Sequence, residues 1–282
     1  MSSRPKAHGI VPRKSLGQHF LTDDAVARRI VAAAEVGKGD LVFEIGPGTG
    51  ALTVHLTRCA GWVVAVELDQ VLIPVLRDAL GGAQNITIVH GDALEVDFIH
   101  LAREAERTFG RPFEAMRFVA NLPYYITSAA IRRILECGLP ITTVVLTVQT
   151  EVAERVTAQP PDMSLLAVSV QFYGRPELLF TISPGQFHPQ PEVESAVLRI
   201  RPHNRPPDVD AQTFFRVAKA GFSQPRKQLR NTLAVGLGLN KAQAEAILRQ
   251  SGIEPSRRAE TLSVEEWKRL ASLFMSNKES VA

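Results

Sequence analysis

The feature that most constrains the fold is an alternation of short apolar runs with helical stretches through the first half of the chain. Leu41–Ile45, Trp62–Glu67, Ile86–Val89, Arg117–Ala120 and Thr142–Val148 each read as a buried strand. Segments near 50–59, 69–80, 94–107 and 127–137 have helical character between them. Strands alternating with helices predict βαβ units and a parallel sheet covered on both faces. Two more strand-like runs follow, Glu177–Ile182 and Ser195–Arg201.

The pattern then changes. Arg201-Pro-His-Asn-Arg-Pro-Pro207 reads as a linker, because proline interrupts helices and strands alike. Beyond it only helical patterns remain, over 211–222, 225–236, 240–251 and 263–274, with Asn240 and Ser263 as N-caps. The expected division is a sheet domain over 1–204, carrying a basic tail at 1–20, and a helical domain over 205–282. The second is short for an independent core and is expected to pack on the first.

Charge follows this division. The 282 residues carry a net charge of only +3. The first twenty hold Arg4, Lys6, Arg13 and Lys14 and no acid. Residues 21–203 hold 15 basic and 21 acidic side chains, a net of −6, and residues 204–282 hold 13 and 8, a net of +5. Basic ends around an acidic centre point to a polyanion partner, against the plainer reading of a solvated cationic surface. The densest segment, Arg216–Arg230, contains Arg216, Lys219, Arg226, Lys227 and Arg230 without an acid. Arg226 and Arg230 share a face if that segment is helical. Phe214, Phe215 and Phe222, which interleave with these, are assigned to the buried side. Two cysteines, Cys59 and Cys137, are too few for a disulfide scaffold or a thiolate zinc site, so a reducing, cytoplasmic setting and no metal are expected. No apolar run has membrane-spanning length and no secretory leader is evident, so no membrane association is expected.

The chemical signals sit at the ends of the strands. Glu44-Ile-Gly46-Pro-Gly48-Thr-Gly50 leaves the first strand and enters a helix. Glycines there let a ligand approach the backbone, and a helix N-terminus offers free amides. Glu67 ends the next strand, placed to accept hydrogen bonds from both ribose hydroxyls of an adenosine cofactor. Glycine turn and acid together indicate a nucleoside cofactor, with NAD and S-adenosylmethionine both allowed. Asp92, after the third strand, suits an adenine amino group; its plainer role would be to cap the next helix. Asn121-Leu122-Pro123-Tyr124, after the fourth strand, is the most specific signal. The exocyclic amine of adenine is a poor nucleophile because its lone pair is delocalised into the ring. The Asn121 amide oxygen and a backbone carbonyl of Leu122 or Pro123 can accept its two hydrogens, concentrating the lone pair and aiming it at an electrophilic methyl. Tyr124 can stack on the base.

Taken together, these motifs resemble the ribosomal RNA adenine N6,N6-dimethyltransferases of the KsgA type. The resemblance covers almost the whole chain. It rests on Lys14-Ser-Leu-Gly-Gln-His-Phe-Leu-Thr22, the Glu44–Gly50 turn, Val66-Glu-Leu-Asp69, Gly91-Asp-Ala93, the Asn121–Tyr124 tetrapeptide, Gln149–Arg155, Phe187–Val197 and Gly221–Leu233. It implies an α/β fold, a Rossmann-like S-adenosylmethionine-dependent methyltransferase sheet with a small all-helical C-terminal domain. It also implies contacts to S-adenosylmethionine from His19, Leu21, Gly46, Glu67, Asp92 and Asn121. His19 stands where many relatives carry Asn, so its backbone is the firmer contact. Phe187 is expected to sandwich the target adenine opposite Tyr124. Arg13, Lys14, Arg226, Lys227 and Arg230 are expected to hold RNA phosphates. The implied reaction is dimethylation of two adjacent adenosines in the 3′-terminal hairpin loop of small-subunit ribosomal RNA, within an immature 30S particle and by a monomer. Three other readings share parts of the pattern: a large-subunit rRNA methyltransferase, a non-catalytic assembly factor, and a nicotinamide dehydrogenase. The last explains neither Asn121–Tyr124 nor the basic helical region.

Overall fold

The computed structural model describes residues 12–13, 16–204 and 208–279. Lys14 and linker residues 205–207 lie outside them. The described chain divides into two compact units.

The first unit holds the residues through Ala153 together with Glu177–Pro202. Its strands are β1 (Phe20–Leu21), β2 (Leu41–Ile45), β3 (Trp62–Glu67), β4 (Ile86–His90), β5 (Met116–Asn121), β6 (Ile141–Gln149), β7 (Gly174–Ile182), β8 (Phe187–His188) and β9 (Ser195–Pro202). Its helices are α1 (Asp24–Ala33), α2 (Thr53–Cys59), α3 (Leu72–Leu80), α4 (Phe98–Phe109) and α5 (Thr127–Leu135), and α6 (Thr150–Thr157) leads out of it. Seven strands form one sheet in the order β4-β3-β2-β5-β6-β9-β7. The pairs β3–β4, β2–β3, β2–β5 and β5–β6 are parallel, and β9 runs antiparallel to β6. All seven predicted sheet strands are present. β2 is buried at every position, the mark of a strand with both faces covered.

The order of the sheet locates the site. The chain builds outward from β2 through β3 to β4, then returns to the other side of β2 for β5. The reversal opens a crevice at the C-terminal ends of β2 and β5, where open α/β sheets bind ligands. Separately, β1 and β8 pair antiparallel, with Phe20 opposite His188 and Leu21 opposite Phe187. This pairing ties the segment before α1 to the chain before β9.

The second unit holds Glu154–Pro176 and the described residues from His203 onward. It contains α7 (Leu165–Tyr173), α8 (Ala211–Phe222), α9 (Leu229–Leu237), α10 (Lys241–Gln250) and α11 (Val264–Glu279). Residues 154–176 join it because α7 buries Ala167, Val168 and Phe172 in the helical core, where Phe172 stacks on Phe214 at 4.0 Å. A boundary drawn at the proline-rich linker leaves that segment with the sheet. Phe214 and Phe215 are buried in this core, as the sequence reading assigned them. Gly221 permits α8 to approach α11: a Cβ there would stand 2.2 Å from the Trp267 ring. Asn240 caps α10 in a reciprocal capping box, and Ser263 and Glu266 bond reciprocally at the start of α11.

The stretch before α9 departs from expectation. The predicted helix over 225–236 begins only at Leu229. Pro225, Arg226 and Lys227 form an exposed connection, so Arg226 and Arg230 do not share a helical face.

Candidate active site

The crevice is lined by the turn after β2, the ends of β3, β4 and β5, and the segment Leu16–Leu21. The turn depends on glycine. Gly46 and Gly48 have φ of 66° and 56°, which L side chains rarely adopt. A Cβ on Gly46 would meet no atom within 4 Å, so its Cα faces open space. Helix α2 starts at Thr53, later than the sequence pattern indicated.

Glu67, 5% exposed, is held by the turn it faces. Its Oε2 accepts the Gly48 amide at 2.9 Å and its Oε1 the Asp69 amide at 2.8 Å. Each oxygen keeps a further lone pair, so two acceptors point in a fixed direction. Burial raises the Glu67 pKa, against the lowering effect of these amides. Asp92 lines the cleft and accepts the Leu94 amide on Oδ1 at 2.8 Å. It does not cap α4: that helix begins at Phe98 with Asp97 as its N-cap.

Asn121 ends β5. Its Nδ2 donates to the His19 carbonyl at 3.0 Å. A carbonyl only accepts, so the nitrogen must face His19, and Oδ1 is the acceptor left over. In the following turn Leu122 is buried, while the Pro123 carbonyl already accepts from the Ile126 amide at 3.2 Å. The Tyr124 hydroxyl lies 2.7 Å from the Ser195 hydroxyl, and burial raises its pKa. Its ring stacks on His19 at 5.6 Å. His19 Nδ1 is 2.7 Å from the Pro189 carbonyl, so Nδ1 carries the proton. His19 thereby joins Asn121, Tyr124 and the loop after β8.

Phe187 is not where the resemblance puts it. It is 3% exposed and packs in the core with Leu21, Ile30 and Val197. The cause is strand alternation: with Leu21 as its partner across β1–β8, Phe187 points inward and His188 outward. The ring against Tyr124 is that of His19. Leu21 is buried in the same core and also reaches the cleft.

Sequence reasoning missed several groups. Glu44 lies within the apolar run of β2 and is 1% exposed, with Oε2 buried and without a hydrogen-bond partner among the described residues. Desolvation, opposed in part by the Thr53 hydroxyl and reinforced by the charge of Glu67, pushes its pKa up to about 8. An acid in an all-apolar strand was the available signal. Asp69, 4% exposed, receives Arg13 at 3.3 Å and the Gln18 amide at 3.1 Å. It thus latches the segment that lines the cleft to the turn that orients Glu67. Arg13 accordingly stands in an ion pair rather than presenting an unpaired charge. In the second unit Arg226 and Lys227 are exposed, whereas Arg230 pairs with Glu245 at 3.0 Å.

A nucleoside cofactor fits the switch-point turn and the buried acid at the end of β3, and a fixed amide acceptor stands at the end of β5. The first unit is a Rossmann-like methyltransferase domain. The sequence profile of the ribosomal RNA adenine dimethylase family matches residues 11–275, and the chain belongs to that family. A ribosomal RNA small subunit methyltransferase A from Dehalococcoides mccartyi strain CBDB1 is 45% identical over 267 residues, covering 94% of this chain and 89% of the relative. Among solved structures, the 23S rRNA methyltransferase ErmE is 28% identical with a TM-score of 0.69, covering 90% of this chain and 98% of that one. A dimethyladenosine transferase from Plasmodium falciparum shares the fold with a TM-score of 0.77 at 23% identity, covering 93% and 98%.

The enzyme is S-adenosylmethionine-dependent, and the site suits that cofactor. The open space over Gly46 gives room for its methionine part, and Glu44, whose buried Oε2 lacks a partner among the described residues, lines the same cleft. Among the described residues no group of three or more His, Cys, Asp or Glu could hold a metal ion, and no helix is long and apolar enough to cross a membrane.

Proposed function

We propose that this chain dimethylates the N6 amines of two adjacent adenosines in the 3′-terminal hairpin loop of 16S ribosomal RNA, acting as a monomer in the cytoplasm on an immature 30S particle. The observation that carries the reading is the fixed carboxamide of Asn121, whose Oδ1 is the acceptor left at the switch point.

When bound, S-adenosylmethionine supplies an electrophilic methyl group. Glu67 accepts the ribose hydroxyls on the lone pairs its two amide bonds leave over. Gly46 leaves room for the methionine part, and Asp92 accepts from the adenine amine. The target adenosine leaves its stack to enter the cleft. Asn121 Oδ1 takes one hydrogen of its amine and the Leu122 carbonyl the other, since the Pro123 carbonyl already serves the Ile126 amide. The lone pair then points at the methyl carbon. Tyr124, fixed by Ser195 and His19, forms a wall for the base. The product is still an amine, so a second transfer follows after cofactor exchange. The displaced proton passes to solvent. Arg226 and Lys227 hold phosphates of the RNA outside the cleft.

The small-subunit substrate is favoured over the large-subunit one by the relatives: 45% identity to a small-subunit methyltransferase against 28% to the 23S enzyme. The test is incubation of undermethylated 30S particles and of 50S particles with labelled S-adenosylmethionine, followed by mass spectrometry of the digested rRNA. N6,N6-dimethyladenosine at two adjacent positions of 16S rRNA is expected. Label in 23S rRNA alone overturns the substrate, and no label overturns the activity in favour of an assembly factor.

A further inference from the structure

The residue after Tyr124 has no part in the chemistry above, yet it stands at the mouth of the same cleft. Tyr125 is 61% exposed and lines the rim. It is the one aromatic among the strongly exposed large hydrophobic residues described. Its hydroxyl makes no hydrogen bond and its ring no aromatic contact among the described residues. Such exposure has a structural cause. Tyr124–Ile126 form a single 3-10 turn, in which successive side chains diverge by about 120°. With Tyr124 turned inward to Ser195, Tyr125 must point outward. The outward ring is braced: Gly17, at a φ of 55°, packs so closely that a Cβ there would lie 3.2 Å from Tyr125 Cδ1 and 3.6 Å from Cε1. The ring is supported on one side by backbone and open to solvent on the other.

We propose that Tyr125 is a stacking platform for the base of the nucleotide next to the target adenosine, and so a substrate-positioning residue of the site. This rests on the RNA reading above. A nucleotide drawn into the cleft leaves its neighbour with an uncovered face at the rim, and an exposed aromatic ring covers such a face whatever the base. Because the ring diverges from that of Tyr124, it serves the neighbouring base and not the reacting one. Phe187, being buried, cannot take this part.

The test is a coupling measurement with the whole protein and undermethylated 30S particles whose 16S 3′ hairpin is a ligated synthetic segment. The hairpin is used intact and with a single abasic site on either side of the target adenosine. On intact RNA, Tyr125→Ala is expected to raise KM about five- to a hundredfold, with S-adenosylhomocysteine affinity unchanged, and Tyr125→Phe to retain the wild-type value. On one of the two abasic RNAs, wild type and Tyr125→Ala are expected to converge. A Tyr125→Ala defect of equal size on all three RNAs, or no defect on any, overturns the proposal. Failure of the wild type to methylate the 30S particles that carry the intact hairpin overturns the underlying RNA reading instead.

Discussion

Replacing Glu44 with Gln should make the cofactor-free protein more stable at neutral pH. The carboxyl is 1% exposed, has an unpartnered oxygen, and titrates at about 8 against 4.5 for the free side chain. Between those two values the folded protein holds one proton more than the unfolded chain. Stability must therefore fall as pH rises, by about 1.4 kcal/mol per unit. By pH 7 the loss attributable to this group reaches roughly 3 kcal/mol, and it levels off near 5 kcal/mol above pH 8. Gln has the shape of the neutral acid and no proton to lose. Urea unfolding of both proteins between pH 4.5 and 8.5, without cofactor, is the assay. The difference in free energy should grow in favour of Glu44→Gln across that range. Parallel curves would show that Glu44 is ionised in the folded state and refute the reasoning. Raised Glu67 contributes a slope of the same sign in both proteins, so the comparison isolates Glu44. If the methionine ammonium meets Glu44, binding should release a proton near pH 7 in the wild type and not in Glu44→Gln, read by calorimetry in buffers of different ionisation enthalpy.

Further expectations follow from other parts of the structure. Asp69→Ala removes the acceptor of Arg13 and Gln18, so S-adenosylhomocysteine affinity should fall about three- to tenfold, as loss of about 1 kcal/mol of buried hydrogen bonding implies; unchanged affinity in titration calorimetry would show that the latch does not act on the cofactor. Arg226→Ala with Lys227→Ala should flatten the dependence of log affinity for rRNA on log salt by about 0.7–0.9 per lost phosphate contact, and an unchanged slope removes that connection from the RNA interface. Gly221→Ala puts a methyl 2.2 Å from the Trp267 ring and should destabilise the protein by about 1–3 kcal/mol in thermal or urea unfolding, whereas an unchanged midpoint would mean that α11 shifts freely.

The sheet was legible because its central strands are buried on both faces and therefore read as uninterrupted apolar runs; β2 and β3 match their predicted limits. Glu67 and Asn121 were legible for a related reason, since each is a polar residue at the end of such a run, where the crevice opens. Helix α7 was not legible, because Leu165–Tyr173 is apolar on nearly all sides and lacks the helical period of a half-exposed helix. The β1–β8 pair depends on two-residue strands 166 positions apart, and nothing local marks it. Phe187 was misplaced for that reason: its direction is set by Leu21 across the pair. The span 225–228 read as helix because its charges and apolar residues have helical spacing, but Pro225 and the turn it favours hold α9 back to Leu229. Glu44 was hidden within its motif, for its chemistry comes from the burial of β2 and only the fold supplies that.

The central claim is that the Asn121 amide presents the target amine to the methyl group. The most direct measurement is single-turnover transfer from S-adenosylmethionine to undermethylated 30S particles by Asn121→Ala, at saturating cofactor. The rate should fall about a hundred- to a thousandfold, with S-adenosylhomocysteine binding still measurable at wild-type stoichiometry. Transfer at the wild-type rate would contradict the account.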